Sequence, residues 1–165
     1  MKICVIAAED QKFPDHWGFD VESINDAIEK SKRGRKLRGA STITQQTAKN
    51  LFCWKGRSFI RKGLEAYYTV ILELLWSKER ILEVYLNIIE LGKGVYGVES
   101  AASIYFGKKA IQLSTGESAL FTAVLPNPRR WPVKSPTPYI YKRTAWIMDQ
   151  VAQLGGVSYL KKVEE

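Results

Sequence analysis

Two adjacent carboxylates, Glu9 and Asp10, directly follow the apolar run Val5-Ile6-Ala7-Ala8 and open the segment Glu9-Asp10-Gln11-Lys12-Phe13-Pro14-Asp15-His16-Trp17-Gly18-Phe19-Asp20. A carboxylate at such a junction sits where a buried element meets a cleft. Loss of water there disfavours the charged form, raises the pKa and suits the group to general-base work. The alternative is a cap or salt bridge that only fastens the loop. A second group is Gly39-Ala40-Ser41-Thr42-Ile43-Thr44-Gln45-Gln46. Thr42 and Gln45 have capping-box spacing, and the free N–H groups of a helix start suit a phosphate. The phosphate-loop pattern GxxxxGK[ST] is absent. An ordinary helix start explains the serine and threonine but not the paired glutamines. In the third group, Arg57-Ser58-Phe59-Ile60-Arg61-Lys62-Gly63-Leu64-Glu65, the spacing puts Arg57, Arg61 and Glu65 on one helix face, opposite an Ile60/Leu64/Tyr67 stripe. Lys49 lies on the preceding helix. The functional reading is a cationic cradle holding one carboxylate; the alternative is an Arg61–Glu65 surface pair worth about a few tenths of a kcal/mol.

The elements that must position these groups read as helices. From Ser58 the apolar residues Ile60, Leu64, Tyr67, Ile71 and Leu74 recur at helical spacing. Ser77 can cap a helix carrying Ile81, Leu82, Tyr85, Leu86, Ile88 and Ile89, which Gly92 ends; it is apolar on most sides and so runs through the core. Ser114 and Glu117 form a capping box ahead of Ala119–Leu125, and Pro126 stops that element. Prolines at 126, 128, 132, 136 and 138 make the next stretch an extended loop. A final helix runs from about Tyr139 to Leu154 and closes at Gly155-Gly156. Strand alternation is nowhere convincing, so the fold class is all-α.

A length of 165 residues suggests one domain, and 45% hydrophobic residues suffice for a core. The 25 Lys and Arg against 17 Asp and Glu give +8, which points to an anionic partner: nucleic acid, a phospholipid surface or a phosphorylated substrate. Cys4 and Cys53 form no C-x-x-C pair and His16 is the only histidine, so a zinc site of such ligands is excluded. The two cysteines read as small apolar groups rather than a disulfide. The most apolar stretch, Val70–Trp76, is interrupted by Glu73 and falls short of the roughly 20 residues of a membrane span. The basic cluster Lys30, Lys32, Arg33, Arg35, Lys36 and Arg38 is either a solvated loop or a contact for anionic head groups.

Taken together and in this order, the motifs resemble the family 51 glycosyltransferases, the transglycosylase domain of bifunctional penicillin-binding proteins and of monofunctional enzymes. ED-x-x-F-x-x-H-x-G matches at Glu9, Asp10, Phe13, His16 and Gly18; G-x-STITQQ matches at Gly39 through Gln46. RK-x-x-E matches at Arg61, Lys62 and Glu65, and the fourth motif at Ile81 through Asn87. The resemblance implies a lysozyme-like helical domain that polymerises lipid II into β-1,4-linked glycan and releases undecaprenyl pyrophosphate. By resemblance Glu9 is the general base on the acceptor 4-hydroxyl in an inverting single displacement. Lys49, Arg57, Arg61 and Lys62 are the cations for the pyrophosphate, Lys49 and Arg57 the closest. Glu65 is the second essential carboxylate, orienting either the cations or the donor. Asp10, Phe13, His16, Ser41, Thr42, Gln45 and Gln46 join the substrate-binding set, and Asn87 either shapes the cleft or is structural. The protein itself offers no preformed metal site, but Mg²⁺ or Mn²⁺ has room at the substrate pyrophosphate.

The resemblance also implies a membrane-contacting jaw at about Val21–Arg38, here basic in its second half, so surface adhesion is expected over deep insertion. The family's N-terminal transmembrane anchor is not in the sequence. The expected place is the periplasmic face of the bacterial inner membrane, with cell-division or other penicillin-binding proteins as partners and no nucleic acid. The family binds moenomycin as a donor mimic. The rivals are a lytic transglycosylase, which needs no pyrophosphate cradle, a basic nucleic-acid module, which lacks a recognisable binding signature, and an inactive scaffold, against which both carboxylates argue.

Overall fold

The computed structural model describes residues 1–32, 41–54, 56 and 58–164. In chain order the helices are α1 (Lys2–Glu9), α2 (Val21–Lys32), α3 (Ile43–Phe52), α4 (Phe59–Leu75), α5 (Lys78–Ile88), α6 (Val98–Phe106), α7 (Thr115–Val124), α8 (Pro138–Gln153) and α9 (Lys161–Glu164). Short 3-10 turns at Phe13–Asp15, Ala110–Gln112 and Gly156–Leu160 join them. This is a mostly helical, lysozyme-like domain, as the all-α reading expects.

Five consecutive residues of α1, Ile3 to Ala7, are buried. A helix apolar on every side has no solvent face, so α1 is threaded through the core and packs on α7 and α8. At its C-terminal end the carboxylates Glu9 and Asp10 stand where the apolar run stops. The other central helix, α3, starts where Thr42 leaves the extended region. The Thr42 hydroxyl accepts from Gln45 N at 3.1 Å, and Gln45 Oε1 accepts from Thr42 N at 3.0 Å. That reciprocal cap is worth about 1 kcal/mol. Ser58, Ser77, Ser114 and Thr137 cap α4, α5, α7 and α8 in the same way, the Ser114–Glu117 box included.

Two expectations are corrected. The reading of Arg61 and Glu65 as a surface pair fails, because their face of α4 is packed inward and much of the opposite stripe is turned to solvent. Ile60 is 75% exposed, Tyr67 60% and Leu74 64%, whereas Glu65, Thr69 and Leu72 are buried. The polar face is the one packed inward because α3 offers it partners. Secondly, α5 buries one face only, Ile81, Leu82 and Tyr85, and ends at Ile88 rather than Gly92. Glu90–Gly92 (β1) then pairs antiparallel with Val95–Tyr96 (β2). A hairpin this short carries no readable alternation. Gly97 follows it at φ +79°, where a Cβ would lie 2.7 Å from the Asn87 carbonyl oxygen, so glycine is required for the chain to return against α5. Cys4 and Cys53 are free thiols.

Candidate active site

Glu9 ends α1 with its side chain 18% exposed. It has two donors from distant elements: Gln46 Nε2 of α3 at 3.2 Å on Oε2, and Arg143 of α8 at 3.4 Å on Oε1. Burial pushes the Glu9 pKa above the ordinary carboxylate value; the Gln46 hydrogen bond and the charges of Arg143 and Lys49 oppose that rise, and the neighbouring Asp10 charge adds to it. The carboxylate also stands at the negative end of its own helix dipole, which acts in the same direction as burial. Glu9 is thus a largely dehydrated carboxylate with few fixed partners, and it takes up a proton more readily than an ordinary carboxylate.

Asp10 is differently placed. It is buried, one oxygen 2.8 Å from His16 Nε2 and the other accepting from the backbone N–H of Ile43 at 2.9 Å. Asp10 therefore fastens the loop after α1 to the first turn of α3. Phe13 is fully buried in the core beside His16, and the Lys78 ammonium lies 4.8 Å over its ring. Both motif residues act here by packing and orientation. Gly18 has φ +71°, and a Cβ there would lie 2.6 Å from Thr69 Cγ2. Only glycine lets this loop press on α4 while its carbonyl accepts from the Thr42 hydroxyl at 2.6 Å. Thr42 and Gln45 are consequently scaffold for α3, while Ser41 and Thr42 also contribute to the wall beside Glu9.

That wall encloses a cavity of about 270 Å³ lined by Glu9, Asp10, Lys12, Asp20, Ser41 and Trp146 among others. A second cavity, about 550 Å³, is lined by Lys49, Arg61, Cys53, Trp54, Glu90 and Tyr96 among others. Lys49 bears on both, since it lines the second and its charge reaches Glu9. Behind Arg61 sits Glu65, 3% exposed, which accepts from Arg61 at 2.8 Å and from Lys62 at 2.5 Å. Two cations and one carboxylate leave a net positive charge on this face of α4. Arg57 and the basic residues Arg33, Arg35, Lys36 and Arg38 lie outside the described residues. Asn87 turns back onto its own helix, donating to the Glu83 carbonyl at 2.8 Å, and lines neither cavity.

Three further groups were not singled out by their types or spacing. Arg143 of α8 reaches Glu9 across 134 positions of sequence, and no local pattern marks it. Tyr85, fully buried, donates to Gln46 Oε1 at 3.2 Å and lies inside the fourth motif, which could have drawn attention to it. Glu73, which had served only as an interruption of an apolar run, accepts from Thr44 at 2.5 Å and Lys78 at 2.8 Å. Lys78 also donates to the His16 carbonyl at 2.5 Å. This network ties the loop after α1 to α3, α4 and α5.

Among the described residues no group of three or more His, Cys, Asp or Glu side chains could hold a metal ion. Nor is any described helix long and apolar enough to cross a membrane.

Comparison with known proteins places the whole chain beside one family. The transglycosylase family model matches residues 1–152. A biosynthetic peptidoglycan transglycosylase of Shewanella oneidensis is 56% identical over 165 residues, which is 100% of this chain and 70% of the relative. That of Escherichia coli is 58% identical over 163 residues, 98% of this chain and 67% of the relative. That of Stutzerimonas stutzeri is 55% identical over 164 residues, 99% and 68%. With a dehydrated glutamate at one cavity, a cation-lined second cavity, and identity of this order along its whole length, the chain belongs to the transglycosylase family.

Proposed function

We propose that the chain is a peptidoglycan glycosyltransferase that extends glycan from lipid II at a membrane surface. The observation that carries this reading is Glu9: dehydrated, at a cavity wall, and electrostatically linked through Lys49 to a second cavity lined by cations. Glu9 takes the proton of the acceptor sugar's 4-hydroxyl. The freed oxygen attacks the donor's anomeric carbon from the face opposite the leaving group. The bond from that carbon to the pyrophosphate oxygen breaks, and its electron pair leaves with undecaprenyl pyrophosphate. An α-linked donor so becomes a β-1,4 link.

Charge develops on the departing oxygen, and fixed cations are worth most where charge develops. Lys49 and Arg61 line the second cavity, Lys62 stands beside them, and Arg57 joins the set by motif. Glu65 holds Arg61 and Lys62 in place rather than reacting. A divalent cation such as Mg²⁺ or Mn²⁺ would take its ligands mainly from the pyrophosphate. The basic segment within 21–38 is the jaw of a single catalytic domain and rests on anionic head groups, each basic residue adding about 1 kcal/mol; the working location is the outer face of the bacterial inner membrane.

The test is polymerisation of labelled lipid II in detergent by the parent and by Glu9→Gln, with moenomycin as inhibitor. Moenomycin-sensitive polymer from the parent alone is expected. Equal polymer from both would remove Glu9 as the base, and release of anhydro-muropeptides from sacculi would replace synthesis by cleavage.

A further inference from the structure

The side-chain amide of Gln46 meets Glu9, Ser41 and Tyr85, and their chemistry settles its orientation. Its Nε2 lies 3.2 Å from Glu9 Oε2 and 3.5 Å from the Ser41 carbonyl oxygen, two acceptors that only an NH₂ group can serve. Its Oε1 receives the Tyr85 hydroxyl at 3.2 Å. Turning the amide over would set its oxygen against a carboxylate and a carbonyl. Tyr85 is fully buried on α5, and dehydration together with the negative charges of Glu9 and Asp10 raises its pKa well above the ordinary value of 10.0. Its hydroxyl therefore keeps its proton at every working pH and stays a donor.

We infer that Tyr85 is a positioning residue for Glu9, acting through Gln46 as a hydrogen-bond relay from α5 across α3 to the end of α1. The relay rests on Glu9 being the base. A donor on Oε1 polarises the amide and strengthens its N–H toward Glu9, because hydrogen bonds in series reinforce one another in a poorly screened interior. The relay fixes one carboxylate oxygen and leaves Oε1, whose only hydrogen-bond donor among the described residues is Arg143 at 3.4 Å, as the oxygen that receives the acceptor's proton. The charged and titratable groups facing Glu9 are Asp10 at the end of α1, Lys49 on α3, Tyr85 on α5 and Arg143 on α8. None of these besides Tyr85 touches the amide oxygen.

Side-chain ¹³C-glutamate NMR on the intact chain reads the relay without turnover, with Glu9 assigned by the resonance lost in Glu9→Gln. Tyr85→Phe removes the donor, so the Glu9 midpoint moves upward and the acid limb of the lipid II pH–rate profile moves with it, with the alkaline plateau kept. Gln46→Met shifts the midpoint the same way, and adding Tyr85→Phe to it produces no further shift. Replacing Tyr85 by 3-fluorotyrosine, which keeps the hydroxyl and strengthens it as a donor, lowers the midpoint and serves if Tyr85→Phe does not fold. An unmoved midpoint in Tyr85→Phe or with fluorotyrosine, or additive shifts in the double variant, overturns the relay. Full polymerisation by Glu9→Gln would instead overturn the assignment of the base, whatever the titration shows.

Discussion

Glu9 and Glu65 are both shielded carboxylates on helices, yet the protein treats them in opposite ways. Glu65 lies between Arg61 and Lys62 at 2.8 and 2.5 Å, so its charge is matched on the spot. Glu9 has two weaker contacts, at 3.2 and 3.4 Å, and burial raises its pKa in spite of them. A carboxylate meant to move a proton must be able to exist in both forms, whereas one meant to hold cations must stay ionised. In the proposed mechanism this difference fits chemistry at the end of α1 and support from α4.

The sharpest way to break that contrast is to neutralise each carboxylate in turn. Glu9→Gln should lower kcat by about 10²–10⁴-fold, the usual reach of a general base. Its folding should not suffer. A carboxylate whose folded pKa is raised destabilises the protein once it is ionised, so Glu9→Gln should melt higher than the parent above the Glu9 midpoint. That difference should fade as pH falls below the ordinary value of 4.5, where both states are protonated. A lower melting point at pH 8 would contradict the assignment.

Glu65→Gln should show the reverse pattern, with a loss of about 3 kcal/mol in denaturant unfolding, because Arg61 is left enclosed and only half answered. Lys62 is 51% exposed and can turn to water, which keeps the loss at the low end. Stability unchanged within error would mean that Glu65 is not a clamp. A smaller effect is expected of Arg143→Gln. Removing an opposite charge beside Glu9 raises its pKa further, so the acid limb of kcat/KM moves to higher pH, with the alkaline plateau kept. A uniform drop at all pH values would place Arg143 elsewhere in the mechanism. Least of all should follow from Leu74→Ser on the outward face of α4, within about 0.5 kcal/mol of the parent. A loss of several kcal/mol would mean that this face is packed against a partner.

The orientation of α4 also shows where local reading stops. Hydrophobicity at helical spacing located the helix from Ser58 onward but left open which of its two faces packs inward. Burial is decided by what the partner offers. The facing elements bring hydrogen-bonding groups such as Thr44, which meets Glu73, and the loop around Gly18, which closes on Thr69. The hairpin at 90–96 escaped notice because two or three residues per strand carry no period. At the site, Glu9 was legible from its place after an apolar run, and the later residues of the second and third motifs from their caps and spacing. Phe13, His16, Thr42 and Gln45 carry the motif, yet their geometry is that of supports.

By itself the sequence determined what depends on neighbours along the chain: the helical class, the capped starts at Thr42, Ser77 and Ser114, the run of motifs and hence the family. Only the tertiary structure decided which groups answer each other across the chain. Arg143 meets Glu9, Tyr85 meets Gln46, and Lys78 meets the His16 carbonyl over separations no local pattern can register. The physical reason is that the pKa of a carboxylate depends on its water and its neighbours in space, and both come into being only when α1, α3, α5 and α8 pack together.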